Sequence, residues 1–161
     1  MSTATHSGTS RPRGFTLVEL VIAMLVLAIL LAIAYPTYQS IMRKSRRAGG
    51  MSALSQVMQA QERYRANNST YYVGGMSGLL PGSTPEVSSD GYYTLSVSAG
   101  NADGTASRTG YVASATARSG TVQSDDTQCH VLRVTVDSGN TAYSSLDSSN
   151  QLNDPDPCWT K

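Results

Sequence analysis

The 161-residue chain is poor in the residues from which most catalytic and nucleic-acid-binding sites are built. It has two His, His6 and His130, which leaves little for a zinc site or a histidine-based triad. Its two Cys, Cys129 and Cys158, both fall in the last third, and Phe15 is its single Phe. Charged residues make up 14%, below the usual quarter. Twelve Lys and Arg against 11 Asp and Glu give a net charge of +1, which excludes a histone-like, strongly basic binder. So low a charge also removes the usual cause of intrinsic disorder. Polarity comes instead from 39 Ser and Thr.

What is present is concentrated at one end. Leu20–Tyr35 is a run of 16 residues of apolar type, and extending it back to Phe15 admits only Thr16 and Glu19. As a helix the extended run spans roughly 31 Å, enough for a bilayer core. A soluble core helix would carry polar residues every third or fourth position, and this run does not. Two kinds of processing fit it. A secretory signal would use Met1–Arg13 as its basic region and Ala32-Ile33-Ala34 as a small-x-small site. Against that stand the length of the run and Glu19, a carboxylate inside it.

The second kind cuts before the run. Arg13-Gly14-Phe15-Thr16-Leu17-Val18-Glu19-Leu20 resembles the prepilin signature of type IV pilins and type II secretion pseudopilins. The resemblance implies cleavage after Gly14, methylation of the new N-terminal Phe15, and a role for Glu19 in subunit assembly. The leader, residues 1–14, is Ser/Thr-rich, carries Arg11 and Arg13 and has no apolar segment, as a leader held in the cytoplasm requires. The chemistry of Glu19 fits independently. Cleavage frees the Phe15 α-amine, which stays cationic when methylated, and a buried charge in a bundle of apolar helices is tolerated mainly when paired. Glu19 of one subunit would pair with the Phe15 amine of a neighbour and set the axial register. The plainer alternative is a carboxylate that reaches the headgroups from a helix end.

Pro36 follows the run and either ends the helix or kinks it. Beyond it, Ala53, Leu54, Val57, Met58, Gln61 and Tyr64 recur three and four apart on one face. One long kinked helix is therefore expected from about Phe15 to Ala66, with residues 15–35 as membrane and filament-core half and 36–66 as amphipathic half. Gly49-Gly50 reads as a second weak point in it. Residues 67–91 form a connecting loop, long enough to suggest a role. The β-head, 92–161, should hold strands at Tyr92–Val97, Tyr111–Ala117 and Val131–Val136, and a fourth starting over Thr141–Ser144, with turns at Gly100–Gly104 and Asp137–Asn140. Short turns demand an antiparallel meander, one face of which packs on the helical stripe. The fold class is α+β.

Charge is unevenly placed. Residues 43–65 hold six bases against Glu62, a net of +5, and residues 66–161 hold nine acids against four bases, a net of −5. This reads either as complementarity between helix and head of neighbouring subunits or as a solvated helix face beside an acidic head. The bases at 43–47, counted alone, would put the C-terminal part in the cytoplasm. The prepilin motif and the Cys pair outweigh them and place it outside. Cys129 and Cys158 could be two separate buried thiols. In an exported chain they read as a disulfide, and the pilin resemblance, with the Cys158-Trp159 ending, implies a C-terminal disulfide loop.

Catalysis is not expected, since His130 has no evident partner, and no cofactor or metal is expected. Asp154 and Asp156, even with Asp125 and Asp126, supply few oxygens for calcium. The resemblance thus implies a structural subunit of a type IV pilus, most like the small minor pilins, in a filament serving adhesion, twitching motility or DNA uptake. The implied partners are other pilin subunits, the prepilin peptidase, the inner-membrane assembly platform and, before assembly, membrane lipid. Localisation follows as inner membrane with the head in the periplasm, then the extracellular filament. Nucleic acid is not expected as a direct ligand, because the head is net acidic. A type II secretion pseudopilin and a signal-anchored, secreted β-domain binding protein are the alternatives.

Overall fold

The computed structural model describes residues 14–82, 86–100 and 108–159. The leader before Gly14 and most of the Gly100–Gly104 turn lie outside those residues. The element order is α1 (Leu17–Asn67), a short 3-10 turn (Met76–Gly78), then β1 (Tyr93–Ala99), β2 (Gly110–Ala117), β3 (Val131–Asp137) and β4 (Asn140–Leu146). The chain forms two compact units, one ending at Gln39 and the other beginning at Ser40.

In the first unit, α1 begins at a side-chain cap. The backbone N–H of Glu19 donates to Thr16 Oγ1 at 3.2 Å, and Leu20 N donates to Thr16 O at 3.2 Å. Thr16-Leu17-Val18-Glu19 thus has the Thr-x-x-Glu pattern of a capping box, with Thr16 satisfying an otherwise orphan donor. Large apolar side chains from Leu17 to Ile33 are exposed throughout, and this helix is long and apolar enough to cross a membrane. Pro36 lies inside α1, which continues past it.

The second unit is a helix-on-sheet sandwich. The four strands pair in the order β1-β2-β3-β4, all antiparallel. Alternation puts Tyr93, Leu95, Val97 and Ala99 of β1 in the core, with Tyr111, Ala113, Ala115 and Ala117 of β2 opposite them. Leu132, Val134 and Val136 of β3 continue that face. Against it α1 buries Gly50, Ala53, Leu54, Val57, Ala60 and Gln61, three and four residues apart. Met58 packs at the edge of this core and Tyr64 is half-buried. The Gln61 amide completes a pair with the chain after the helix: Nε2 donates to Tyr72 O and Oε1 accepts from Tyr72 N, both at 2.9 Å. That arrangement satisfies a fully buried polar side chain.

Gly49-Gly50 is not a weak point. Helix α1 runs through both residues. A Cβ at Gly49 would overlap the Asp90 carboxylate, and one at Gly50 would lie 3.1 Å from the Tyr93 ring and from Leu132 Cδ1. The pair lets the helix backbone approach the sheet, a benefit that offsets its entropy cost of about 1 kcal/mol per Gly. The β3–β4 hairpin closes through Ser138-Gly139, with φ of 51° and 84°. Two successive positive φ values give the primed turn whose twist suits a two-residue hairpin. β4 extends through Leu146, beyond the Thr141–Ser144 start expected for it, because Ser145 and Leu146 turn inward and are buried.

Candidate functional site

Two regions carry the residues singled out by the sequence. The first is the N-terminal segment. Gly14 is open, with nothing within 4 Å of a would-be Cβ, and Phe15 is 82% exposed. Glu19 is exposed and stands at the third helical position, one helical turn from Phe15. Thr16 between them is a residue that sequence reading passed over, although the Thr-x-x-Glu spacing was there to find it.

The second region is the head's lower loop and C-terminal tail. Cys129 and Cys158 are bonded, with Cα atoms 5.7 Å apart and positions 29 apart in sequence. Both are buried in the main core cluster. The tail between β4 and Cys158 is held by polar side chains rather than by apolar area. Asn153 Nδ2 donates to Gln128 O at 2.7 Å and to Ser145 Oγ at 2.8 Å. Asp156 Oδ1 accepts from Ser145 Oγ and from Cys158 N, both at 2.8 Å. Trp159 Nε1 donates to Ser144 O at 2.8 Å, and its ring tilts against Tyr143 with centroids 4.8 Å apart.

The basic cluster of residues 43–47 does not stand free as a solvated face. Arg47 clasps Asp126 with two bonds, Nε to Oδ2 at 2.7 Å and Nη2 to Oδ1 at 2.8 Å. Gln123 Nε2 donates both to Asp126 Oδ2 at 3.0 Å and to the Tyr93 hydroxyl at 2.9 Å. Arg43 Nη1 donates to Asp125 O at 3.2 Å, and the Arg46 guanidinium lies 4.9 Å from the centroid of the Tyr92 ring. Part of the helix–head charge complementarity is therefore spent within one subunit, a third outcome beside the two the sequence suggested. Burial pushes the Tyr93 and Tyr111 phenols well above the usual tyrosine range.

The outer face of the sheet is of another kind. Pairing aligns Ser96, Ser114, Arg133 and Ser144 in one row across it. Thr94 and Thr116 flank that row on one side, Ser98 and Thr135 on the other. Arg108 and Arg118, both exposed, lie just beyond the two ends of β2. The described acids of the head lie in loops and tail, except Asp137 at the end of β3. A cleft of about 720 Å³ opens between the second half of α1 and the β3–β4 side. Tyr71, Tyr111, Tyr143 and Trp159 line it with Met58, and no His or Cys is among its lining residues. Among the described residues no group of His, Cys, Asp and Glu is placed to hold a metal ion.

Comparison with known families covers the N-terminal segment and the chain as far as residue 133. Residues 9–35 match the prokaryotic N-terminal methylation motif. Residues 36–133, more than half of the chain, match the family described as type IV minor pilin ComP, DNA uptake sequence receptor. No curated protein matches the chain significantly. Methylation motif, apolar helix, four-stranded antiparallel head and C-terminal disulfide occur in the order that a pilin requires, and the chain belongs to the ComP family of type IV minor pilins.

Proposed function

We propose that this minor pilin is made with a leader, residues 1–14, which the prepilin peptidase removes after Gly14 before Phe15 is methylated. The subunit then waits in the inner membrane on its apolar helix, with the head in the periplasm, and the assembly platform moves it into a filament among other pilins. Glu19 pairs with the Phe15 amine of a neighbour, and Pro36 is where the helix bends or yields as it enters the filament core. The filament serves DNA uptake, and the head is a DNA receptor. The observation that carries this reading is the succession, along one chain, of the methylation motif and the ComP family match. The family is a structural one, so the function is binding and assembly rather than catalysis.

This reading reverses the expectation that nucleic acid is no direct ligand. That expectation rested on the net charge of the head, and net charge says nothing of placement. The test is natural transformation. Deleting the gene should abolish or sharply reduce uptake of exogenous DNA while filaments still form. Loss of filaments with unchanged uptake by the remaining cells would refute a minor, DNA-directed role.

A further inference from the structure

We propose that the cleft between α1 and β4 is a saccharide site, built for a chain of N-acetylated hexosamines.

The cleft exists because the sheet is wider than the helix that covers it. Pairing places Thr141 opposite Val136 and Tyr143 opposite Val134, so both belong to the helix-side face. No residue of β4 is in the core cluster, however, and Tyr143 is 54% exposed. The gap left there, about 720 Å³, is within the range of small-molecule sites. Leu54, Val134 and Val136 are its buried apolar floor. Its outer wall is aromatic, with Tyr143 and Trp159 tilted against each other. Gln59, Glu62, Arg63 and Thr141 are exposed along its rim.

One buried group points to a ligand. Tyr111 lines the cleft at 1% exposure, and its hydroxyl makes no hydrogen bond among the described residues. A buried tyrosine hydroxyl normally has a partner. Neighbouring Tyr71 is already engaged: its hydroxyl donates to Glu62 Oε1 at 3.4 Å, and the Arg65 guanidinium lies 4.4 Å from its ring centroid. The ligand must therefore bring a polar atom to Tyr111 within otherwise apolar surroundings.

Charge narrows the choice. One acid, Glu62, and one base, Arg63, line the cleft, and they cancel. Nothing there selects a phosphate backbone or a strongly charged peptide. A sugar ring matches: its C–H face stacks on aromatic rings, and its hydroxyls bond to carboxylate, guanidinium and amide at the rim. A plain hexose would set hydroxyls against Leu54, Val134 and Val136, where they find no partner. An acetamido group puts a methyl there instead, and its carbonyl oxygen accepts from the Tyr111 hydroxyl.

Trp159 is the only Trp of the chain, so its fluorescence reports on the cleft. The test titrates the full chain, held in an amphipathic polymer, with triacetylchitotriose and with cellotriose, which shares the linkage but lacks the acetamido groups. Trp159 emission should change saturably with triacetylchitotriose at millimolar concentration or below. Cellotriose should bind about tenfold more weakly, because it leaves Tyr111 unpaired. Y111F should weaken triacetylchitotriose binding about three- to tenfold, the worth of one hydrogen bond. Y143A should weaken it by about as much through lost stacking, with thermal melting unmoved because Tyr143 is exposed. Equal affinity for the two sugars, no saturable response to triacetylchitotriose, or wild-type affinity in either variant would overturn the site. Emission that follows protein concentration and ignores sugar would assign the cleft to a second copy, and would overturn it too. The DNA reading of the head stands or falls separately.

Discussion

Arg47 on α1 and Asp126 in the β2–β3 loop form a two-bond ion pair, with side chains 11% and 4% exposed. It ties the helix to the loop that ends at Cys129, so that salt bridge and disulfide hold opposite ends of one short segment. Gln123 extends the pair to the Tyr93 hydroxyl in the core. Removing one partner leaves a buried charge uncompensated, which costs about 3–5 kcal/mol. R47A and D126A should each lower the unfolding free energy obtained from denaturant titration by that amount. R47M with D126L should recover much of the loss, since an apolar pair of similar volume leaves no orphan charge. Single variants of wild-type stability would show the pair to be ornamental.

Gly50 is a second contact point of helix and sheet. G50V should destabilise the head by about 1–3 kcal/mol, the cost of overpacking, because its Cβ meets the Tyr93 ring and Leu132 at 3.1 Å. On helix propensity alone, Val is better than Gly. Thermal melting separates the two: a raised midpoint would mean that close approach is not what the glycine provides.

The tail offers a third test. Its bonds run through Asn153, Asp156 and Ser145, with little apolar area, so the Cys129–Cys158 link should be worth 2–5 kcal/mol. C129S should make the tail protease-sensitive while α1 stays in the membrane. Limited proteolysis of envelope-derived protein, with and without reductant, reads this directly, and an unchanged digestion pattern would contradict it.

Alkali should weaken the fold through its tyrosines. Burial raises the phenol pKa of Tyr93 and Tyr111 above the unfolded value near 10. For a raised group the stabilising contribution is complete below the unfolded pKa and is lost as pH climbs from there toward the folded one. Denaturant midpoints should therefore hold level to about pH 9 and fall above about pH 10. Y93F and Y111F should each flatten part of that fall; a decline of the same slope in both would assign it elsewhere.

The legible parts of this molecule in its sequence were those with a local period. The Ala53–Gln61 stripe, the alternation of Tyr93–Ala99 and the hairpin at Ser138-Gly139 each announce themselves within a few residues. Arg47–Asp126 spans 79 positions and has no local signature. Gly49-Gly50 looked like weakness because propensity is a property of the isolated helix, and the reason for the pair is a sheet that the helix has yet to meet. Arg133 was summed into a net charge, although the alternation of β3 alone sets it on the face opposite Leu132 and Val134. The N-terminal motif was plain, but Thr16 inside it was read as an interruption of an apolar run rather than as its cap.

That cap sharpens the role of Glu19. Gln at the third helical position keeps the backbone N–H that Thr16 caps, and the capping-box pattern, but carries no charge. E19Q should therefore insert in the membrane with helix α1 intact and yet enter filaments poorly. E19V should fail alike in assembly, and membrane insertion should hold or improve. Quantifying each variant in sheared filaments and in the membrane fraction separates the roles. Wild-type incorporation of E19Q would remove the pairing.

The most direct measurement of the whole account is the mass of the N-terminal peptide of the mature protein from the cell envelope. A chain that begins at methylated Phe15, with Gly14 and all before it gone, is the expected result. A chain that begins at Tyr35, or one that keeps residues 1–14, would contradict it.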